Sequence, residues 1–371
     1  MFEWYDGLRK NTRVQAIFFL TALLLIIMLV NRDLIFDSFR GIAIIAVVAI
    51  HAIYLGGDPG SPGFLYYRQL LNFCVPAFFF MAGYWSSKKQ IRSLKEYRIF
   101  LKRKFFRIGI PYLFWSFIFL GYSAFMKPGF NGVEAAFSLL TGGACIGYYF
   151  VIVIAQLYVL TPLLQYINRR LNWYGLMLVF IFNLAVVFIL YLSRLFQVIP
   201  PLPLALPFYA WIIYYEFGLF WGERYSRSSV SLKIRVLIPL GILVFLLVSV
   251  LEVSVLLSQY NNAEFASYAV KFSSLAYSVS VILGFLFWRQ HFRRLPRLLS
   301  IIGRYSFGIY LIHIIFLSCF VKLFGNFSAI SSFQPAYQLV LVAATIGTCF
   351  VVIGSARKFL PEFVSVKILG F

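Results

Sequence analysis

Long apolar runs separated by short polar and basic clusters dominate the chain. Eleven such runs lie near residues 14–30, 39–56, 69–86, 108–126, 148–166, 174–193, 208–222, 235–257, 272–288, 302–324 and 337–355. Most have about the 20 residues that a helix needs to cross the hydrocarbon core of a bilayer. A helix also satisfies its own backbone hydrogen bonds in lipid. We therefore predict an all-α fold, a polytopic transmembrane bundle of about eleven helices.

The composition agrees with this pattern. Of the 371 residues, 62% are hydrophobic and 12% are charged, and the mean hydropathy is +0.87. A water-soluble domain contains a smaller share of apolar residues, so this class is excluded. The four cysteines, Cys74, Cys145, Cys319 and Cys349, lack the spacing of metal ligands, and we expect core residues rather than disulfides.

Basic residues predict the orientation of the bundle. Between residues 86 and 107 lie Lys88, Lys89, Arg92, Lys95, Arg98, Lys102, Arg103, Lys104 and Arg107. The positive-inside rule places this segment in the cytoplasm, and alternation from it puts most other Lys and Arg residues on the same side. Arg68 and Lys271 are among the few assigned to the outer side. The net charge of +21 then reflects membrane topology, and no nucleic-acid partner is expected.

The second apolar run carries an arginine and a histidine on one helical face. Arg40 and His51 are eleven residues apart, about three turns, with a rise of about 16 Å between them. Ionisable groups inside a span are costly and mark functional sites. Arg40 could hold an anionic group from the cytoplasm while His51 acts as a general base. The structural alternative is an Arg that reaches lipid headgroups and a His that bonds a neighbouring helix.

Three further segments contain candidates by the same argument. Lys104 and Arg107 lie about one turn apart at the start of a span, as a phosphate clamp or as a boundary that contacts headgroups. His313 lies within a span, with Ser306 and Tyr310 before it, or is a buried structural residue. Glu216 is the least expected carboxylate, and it could orient a histidine, pair with a buried arginine or lie in a water-filled cavity.

These residues resemble the motifs of the acyltransferase-3 family of membrane O-acyltransferases. In that family a ten-helix bundle carries on its first helix an Arg, ten intervening residues and a His, which is the spacing of Arg40 and His51. The triplet 37–39 keeps the acid of the family's acidic-Gly-hydrophobic motif, as Asp37, but not its Gly. The family's basic pair before a Pro is similar to Lys104 and Arg107, with Lys in place of the first Arg.

Other motifs follow in the family's order. Residues 75–84 are similar to a Phe-rich segment that ends in a small residue, Gly and Tyr. The aromatic span that enters the family's core resembles the run that contains Tyr148, Tyr149, Phe150, Gln156, Tyr158 and Pro162. Residues 306–313 resemble the signature Ser-Tyr-x-x-Tyr-Leu-x-His, with Phe307 in place of the first Tyr. The resemblance covers about residues 34–355, so the run at 14–30 is an extra N-terminal helix.

The resemblance implies a membrane O-acyltransferase of a bacterial cytoplasmic (inner) membrane. Acetyl or succinyl would pass from cytoplasmic acyl-CoA to a hydroxyl of a cell-surface polysaccharide or lipid-linked glycan. Arg40, Lys104 and Arg107 would hold the CoA phosphates and His51 would act as base. His51, Arg40 and Asp37 would be the catalytic residues, and supporting roles are expected for Tyr149, Tyr158, Glu216, Ser306, Tyr310 and His313. Acyl-CoA is a substrate, and no permanently bound cofactor or metal is expected.

A transporter or flippase that exports a polysaccharide or lipid-linked sugar is the main alternative, because it would also hold charged residues in a polar cavity. The chain has no internal repeat, which favours the enzyme over the transporter. A structural subunit of an export complex is a further alternative, and oligomer or export partners stay open. We divide the chain into an extra transmembrane helix (1–33), a membrane acyltransferase domain (34–355) and a cytoplasmic C-terminal tail (356–371).

Overall fold

The computed structural model describes residues 33–196, 207–224, 232–261, 263–288, 297–326 and 331–371. The predicted helix at residues 14–30 lies outside them. Within the described ranges the chain is helical and contains no strand. The helices are α1 (Leu34–Gly56), α2 (Pro62–Leu71), α3 (Cys74–Ser87), α4 (Leu94–Lys104), α5 (Ile110–Met126), α6 (Gly132–Thr141), α7 (Tyr149–Leu171), α8 (Trp173–Phe196), α9 (Ile212–Arg224), α10 (Leu232–Tyr260), α11 (Ala263–Ser267), α12 (Phe272–Trp288), α13 (Arg297–Arg304), α14 (Ser306–Gly325) and α15 (Gln334–Phe359).

The prediction of an all-α polytopic bundle is confirmed. In the described part of the chain, nine helical segments are long and apolar enough to cross a membrane. The apolar run predicted at 208–222 is different, because its helix, α9, has only 13 residues. At 1.5 Å per residue it is about 20 Å long, less than the thickness of a bilayer core. Nearly all of its residues are buried, so α9 is an interior helix of the bundle.

Two pairs of glycines let helices approach backbone to backbone. A Cβ at Gly83 of α3 would overlap the carbonyl oxygen of Tyr215, and one at Gly218 of α9 would overlap that of Phe80. Gly41 of α1 and Gly303 of α13 form an equivalent crossing. Small residues at such crossings replace the hydrophobic driving force that is missing in lipid by close van der Waals packing. The crossings therefore fix α9 against α3 and α13 against α1.

Basic segments that the positive-inside rule assigns to the cytoplasm meet at one end of the bundle. The Lys88 ammonium donates to the carbonyl of Gly222 at 2.8 Å. The Arg224 guanidinium donates to the carbonyl of Asn168 at 2.7 Å. These residues come from loops or helix ends that follow three different spans. Their convergence agrees with the orientation that the sequence predicts.

Residues after α15, which the sequence assigns to a cytoplasmic tail, pack on the same end. A π-helical turn covers Phe363–Ile368. The Trp115 indole donates to the carbonyl of Leu369 at 3.0 Å, and the Arg357 guanidinium donates to that of Phe371 at 2.7 Å. The Phe371 side chain is buried. The segment is thus a packed part of the bundle.

Candidate active site

A cavity of about 1580 Å³ is lined by residues from both ends of the bundle. Most of the candidate residues from the sequence lie on its wall. They are Asp37, Arg40, His51, Lys104, Arg107, Tyr149, Tyr158, Ser306 and Tyr310. One space therefore connects a basic mouth, on the side that the sequence predicts to be cytoplasmic, with a histidine inside the bundle.

Helix α1 carries the arginine and the histidine of this cavity. Its first turns bury Asp37, whose carboxylate forms an ion pair with Arg40, with 3.3 Å between Oδ1 and Nη1. A carboxylate one turn earlier restrains the guanidinium. His51 lies three turns deeper and lines the same cavity. The helical spacing of Arg40 and His51 thus places a cation at the mouth and an imidazole inside.

The loop before α7 presses its backbone against His51. Gly147 has a φ of +90°, and a Cβ there would lie 3.1 Å from His51 Nε2. The Tyr310 hydroxyl donates to the carbonyl of Gly147 at 2.8 Å. The neighbouring Tyr148 hydroxyl donates to the carbonyl of Leu311 at 2.7 Å. Two tyrosine hydrogen bonds therefore tie this loop to α14, and only a glycine fits both the backbone angle and the space beside the imidazole.

His313 of α14 lies behind His51 and does not line the cavity. The two ring centroids are 5.2 Å apart. His313 Nδ1 is 2.8 Å from the carbonyl oxygen of Tyr310. Because a carbonyl only accepts, Nδ1 carries the proton and Nε2 is left as an acceptor. His313 Nε2 and His51 Nδ1 are both buried with no hydrogen-bond partner. A hydrogen bond between them, which the structure does not form, would satisfy both and leave His51 Nε2 free to act as a base.

The basic pair follows an unusual turn. A π-helical segment, Phe105–Gly109, joins α4 to α5 just before Pro111, which lacks an N–H and disfavours the regular hydrogen bond at this point. This turn carries Arg107 to the cavity. Lys104 Nζ lies 4.2 Å from the ring centroid of Tyr158, a cation–π contact.

Other basic residues of the mouth were predicted only as cytoplasmic and not as part of a site. They are Lys102, Arg103, Arg304, Arg357 and Lys367. Their charge was visible in the sequence. They come from α4 and, much later in the sequence, from α13, α15 and the segment after α15, and the tertiary packing brings them to one cavity.

Two charged residues lie elsewhere than the sequence suggested. Glu216 does not line the cavity, and within the described chain it forms no ion pair. It is fully buried, and neither carboxylate oxygen has a hydrogen-bond partner. Arg68, assigned to the outer side just before the run at 69–86, lies within helix α2 and lines the cavity. The helix begins six residues before Arg68, at a proline that suits a first turn.

The structure is a polytopic helical bundle in which one cavity joins a cluster of basic side chains to His51. The family described as an acyltransferase domain (Acyl_transf_3) matches residues 33–356. The chain belongs to this acyltransferase-3 family of membrane acyltransferases, as its motifs predict.

One relative among known proteins is "Putative membrane-bound acyltransferase YfiQ" of Bacillus subtilis (strain 168). It is 25% identical over 306 residues, which cover 76% of this chain and 78% of that protein. No solved structure matches the chain.

Proposed function

We propose that this chain transfers an acyl group, acetyl or succinyl, from cytoplasmic acyl-CoA to a hydroxyl of a cell-surface polysaccharide or lipid-linked glycan in a bacterial cytoplasmic membrane. The observation that carries this proposal is the shared cavity, which joins the basic mouth to His51. Family membership supports acyl transfer. The identities of the acyl donor, the acceptor and the membrane are what this proposal adds.

The mouth suits the donor. Coenzyme A carries a diphosphate and a 3′-phosphate, and guanidinium and ammonium groups are the usual partners of phosphates. Arg40, paired with Asp37, would bind these phosphates together with Lys104 and Arg107, which line the same cavity. The pantetheine arm would then extend along the cavity and bring its thioester to His51.

Direct transfer needs one base. His51 Nε2 takes the proton of the acceptor hydroxyl as its oxygen attacks the thioester carbonyl. The tetrahedral intermediate collapses, the C–S bond breaks, and the CoA thiolate leaves with the proton that His51 returns. The products are an ester and free CoA. His313 would hold the His51 ring so that Nε2 faces the substrates.

Acyl transfer in membranes tests the proposal. Membranes that contain the parent chain, His51→Ala or Arg40→Ala are incubated with radiolabelled acetyl-CoA and, in parallel, with labelled succinyl-CoA. Label in endogenous glycan, lost in both variants at equal protein levels, is the expected result. No label from either donor, together with export of the glycan that depends on the protein, would contradict the proposal in favour of transport.

A further inference from the structure

Arg68 of α2 lines the cavity but is not one of the basic residues that are proposed to bind the donor. It is close enough to His51 and to Tyr54, which follows His51 on α1, to interact with both electrostatically. It therefore lies toward the end of α1 opposite Arg40. Among the described residues, no carboxylate comes within 4.0 Å of its guanidinium. Its Nε is buried with no hydrogen-bond partner.

An arginine in such a place needs an anion. An unpaired guanidinium in a span is costly, and the cost is tolerated mainly where the charge meets a partner or a polar cavity. The chain supplies no carboxylate partner here among the residues described, and the cavity is open to Arg68. The missing partner is therefore a group that enters the cavity.

The helix that carries Arg68 is held firmly by its next residue. Gln69 is fully buried, and its amide donates to the carbonyl of Ala266 at 3.3 Å. Its side-chain oxygen accepts from the Ser249 hydroxyl at 2.9 Å and from the Lys271 ammonium at 3.2 Å. These bonds tie α2 to α10, to α11 and to the residue before α12, and they occupy Lys271. Arg68 is thus a preorganised cation that faces the cavity, whereas Lys271 is a structural one.

The wall around Arg68 suits a sugar. Three tyrosines line the cavity together with Arg68 and interact electrostatically with its guanidinium: Tyr54, Tyr149 and Tyr268. Glu264 also lies on this wall and accepts from the Tyr268 hydroxyl at 3.3 Å. Aromatic bodies with polar tips offer both apolar contact and hydrogen bonds. The two halves of the cavity therefore differ, with many cations at the mouth and one cation among tyrosines beyond His51.

We propose that Arg68 binds an oxyanion of the acceptor and thereby brings the acceptor hydroxyl to His51. The oxyanion is either the carboxylate of an acidic sugar or the phosphate of a phosphorylated sugar, since a guanidinium fork pairs with both. This inference rests on the proposed function, because it names the acceptor of that reaction. It makes the acceptor an anionic glycan rather than a neutral one.

Binding of small sugars tests the inference without acyl transfer. The full chain in nanodiscs of zwitterionic lipid is titrated with methyl β-D-glucuronide, glucose 1-phosphate and the neutral methyl β-D-glucoside. Each titration is repeated with Arg68→Gln and Arg68→Lys. Lys127→Gln is the matched control, because Lys127 is a basic residue assigned to the outer side that does not line the cavity. Thermal unfolding of each variant without sugar shows whether it is folded.

One of the two anionic sugars is expected to bind the parent more tightly than the neutral sugar, and this identifies the carboxylate or the phosphate. Arg68→Gln should weaken that binding by at least about tenfold, as loss of a charged hydrogen bond does. Arg68→Lys should retain part of it, and Lys127→Gln all of it. The inference is overturned if neither anion binds, if the neutral sugar binds equally well, or if folded Arg68 variants bind the anion as the parent does.

The same preparations separate this inference from the proposed function. If label from acyl-CoA reaches glycan in a His51-dependent way but no anion preference is found, only the role of Arg68 is wrong. If an anionic sugar binds through Arg68 but no donor labels glycan, the site exists and the acyl transfer fails.

Discussion

The imidazole rings of His51 and His313, on α1 and α14, lie 5.2 Å apart between centroids. The backbone contact of His313 Nδ1 with Tyr310 leaves its Nε2 as an acceptor, and neither this nitrogen nor His51 Nδ1 has a hydrogen-bond partner. We therefore expect His313, which does not line the cavity, to position the His51 ring rather than to contact the substrates. Its removal should alter the proton transfer and not the binding of the donor.

His313→Ala is expected to lower kcat by about tenfold or more while the KM for acyl-CoA stays the same, because a misoriented base loses part of its catalytic effect. His313→Gln should recover part of the rate, since its amide oxygen can accept the same hydrogen bond. Steady-state kinetics of the two purified variants measure the split. A rise in KM with unchanged kcat would show that His313 serves binding instead.

Gly147→Ala is expected to abolish most of the transfer, because its Cβ would lie 3.1 Å from His51 Nε2. The matched control is Gly129→Ala. Gly129 also has a positive φ, +83°, but no atom lies within 4 Å of the position that a Cβ would take there. Both substitutions carry the backbone penalty of about 1–2 kcal/mol. Equal activity of the two variants, measured by label transfer at equal protein levels, would contradict the contact with His51.

Asp37→Asn is expected to raise the KM for acyl-CoA several-fold, with a smaller effect on kcat, because Arg40 loses the carboxylate that restrains it. Glu134→Gln is the control, since it breaks the ion pair with Lys127, at 2.9 Å, away from the cavity. Exposed pairs of this kind contribute about 0–1 kcal/mol. The KM for acyl-CoA is measured for both variants. An unchanged KM in Asp37→Asn would mean that Arg40 binds the donor without the restraint from Asp37.

Gly218→Ala is expected to destabilise the bundle by about 1–3 kcal/mol, the usual cost of overpacking, because its Cβ would overlap the carbonyl of Phe80. Gly354→Ala in α15 has open space at the same atom and should be neutral or stabilising by up to about 1 kcal/mol. Thermal unfolding in detergent compares them. If Gly218→Ala is as stable as the parent, α3 and α9 can move apart at their crossing without loss of stability.

Glu216→Gln is expected to leave acyl transfer unchanged, because Glu216 does not line the cavity. Its thermal midpoint should stay the same or rise, since an amide is cheaper to bury than an unpaired carboxylate. Initial rates and unfolding curves measure both. Loss of activity in a stable variant would restore a role for Glu216 in the reaction.

Most of the spans and the alignment of Arg40 with His51 were predictable from the sequence. Hydropathy, charge clusters and helical spacing are properties of contiguous residues, so neighbouring positions are enough to define them. The family motifs, too, are short local patterns. The short α9 was predicted as an ordinary span because hydropathy alone does not separate lipid contact from burial in protein.

Only the tertiary structure decided which side chains share the cavity. His51 meets Gly147 and His313 because a loop and a helix far away in the sequence pack against α1. The same packing admits Arg68 to the cavity and excludes Glu216. Both are single charges near or within apolar runs, and nothing local distinguishes them. Their difference arises from the crossing of helices, where close backbone contact at glycines sets which faces turn inward.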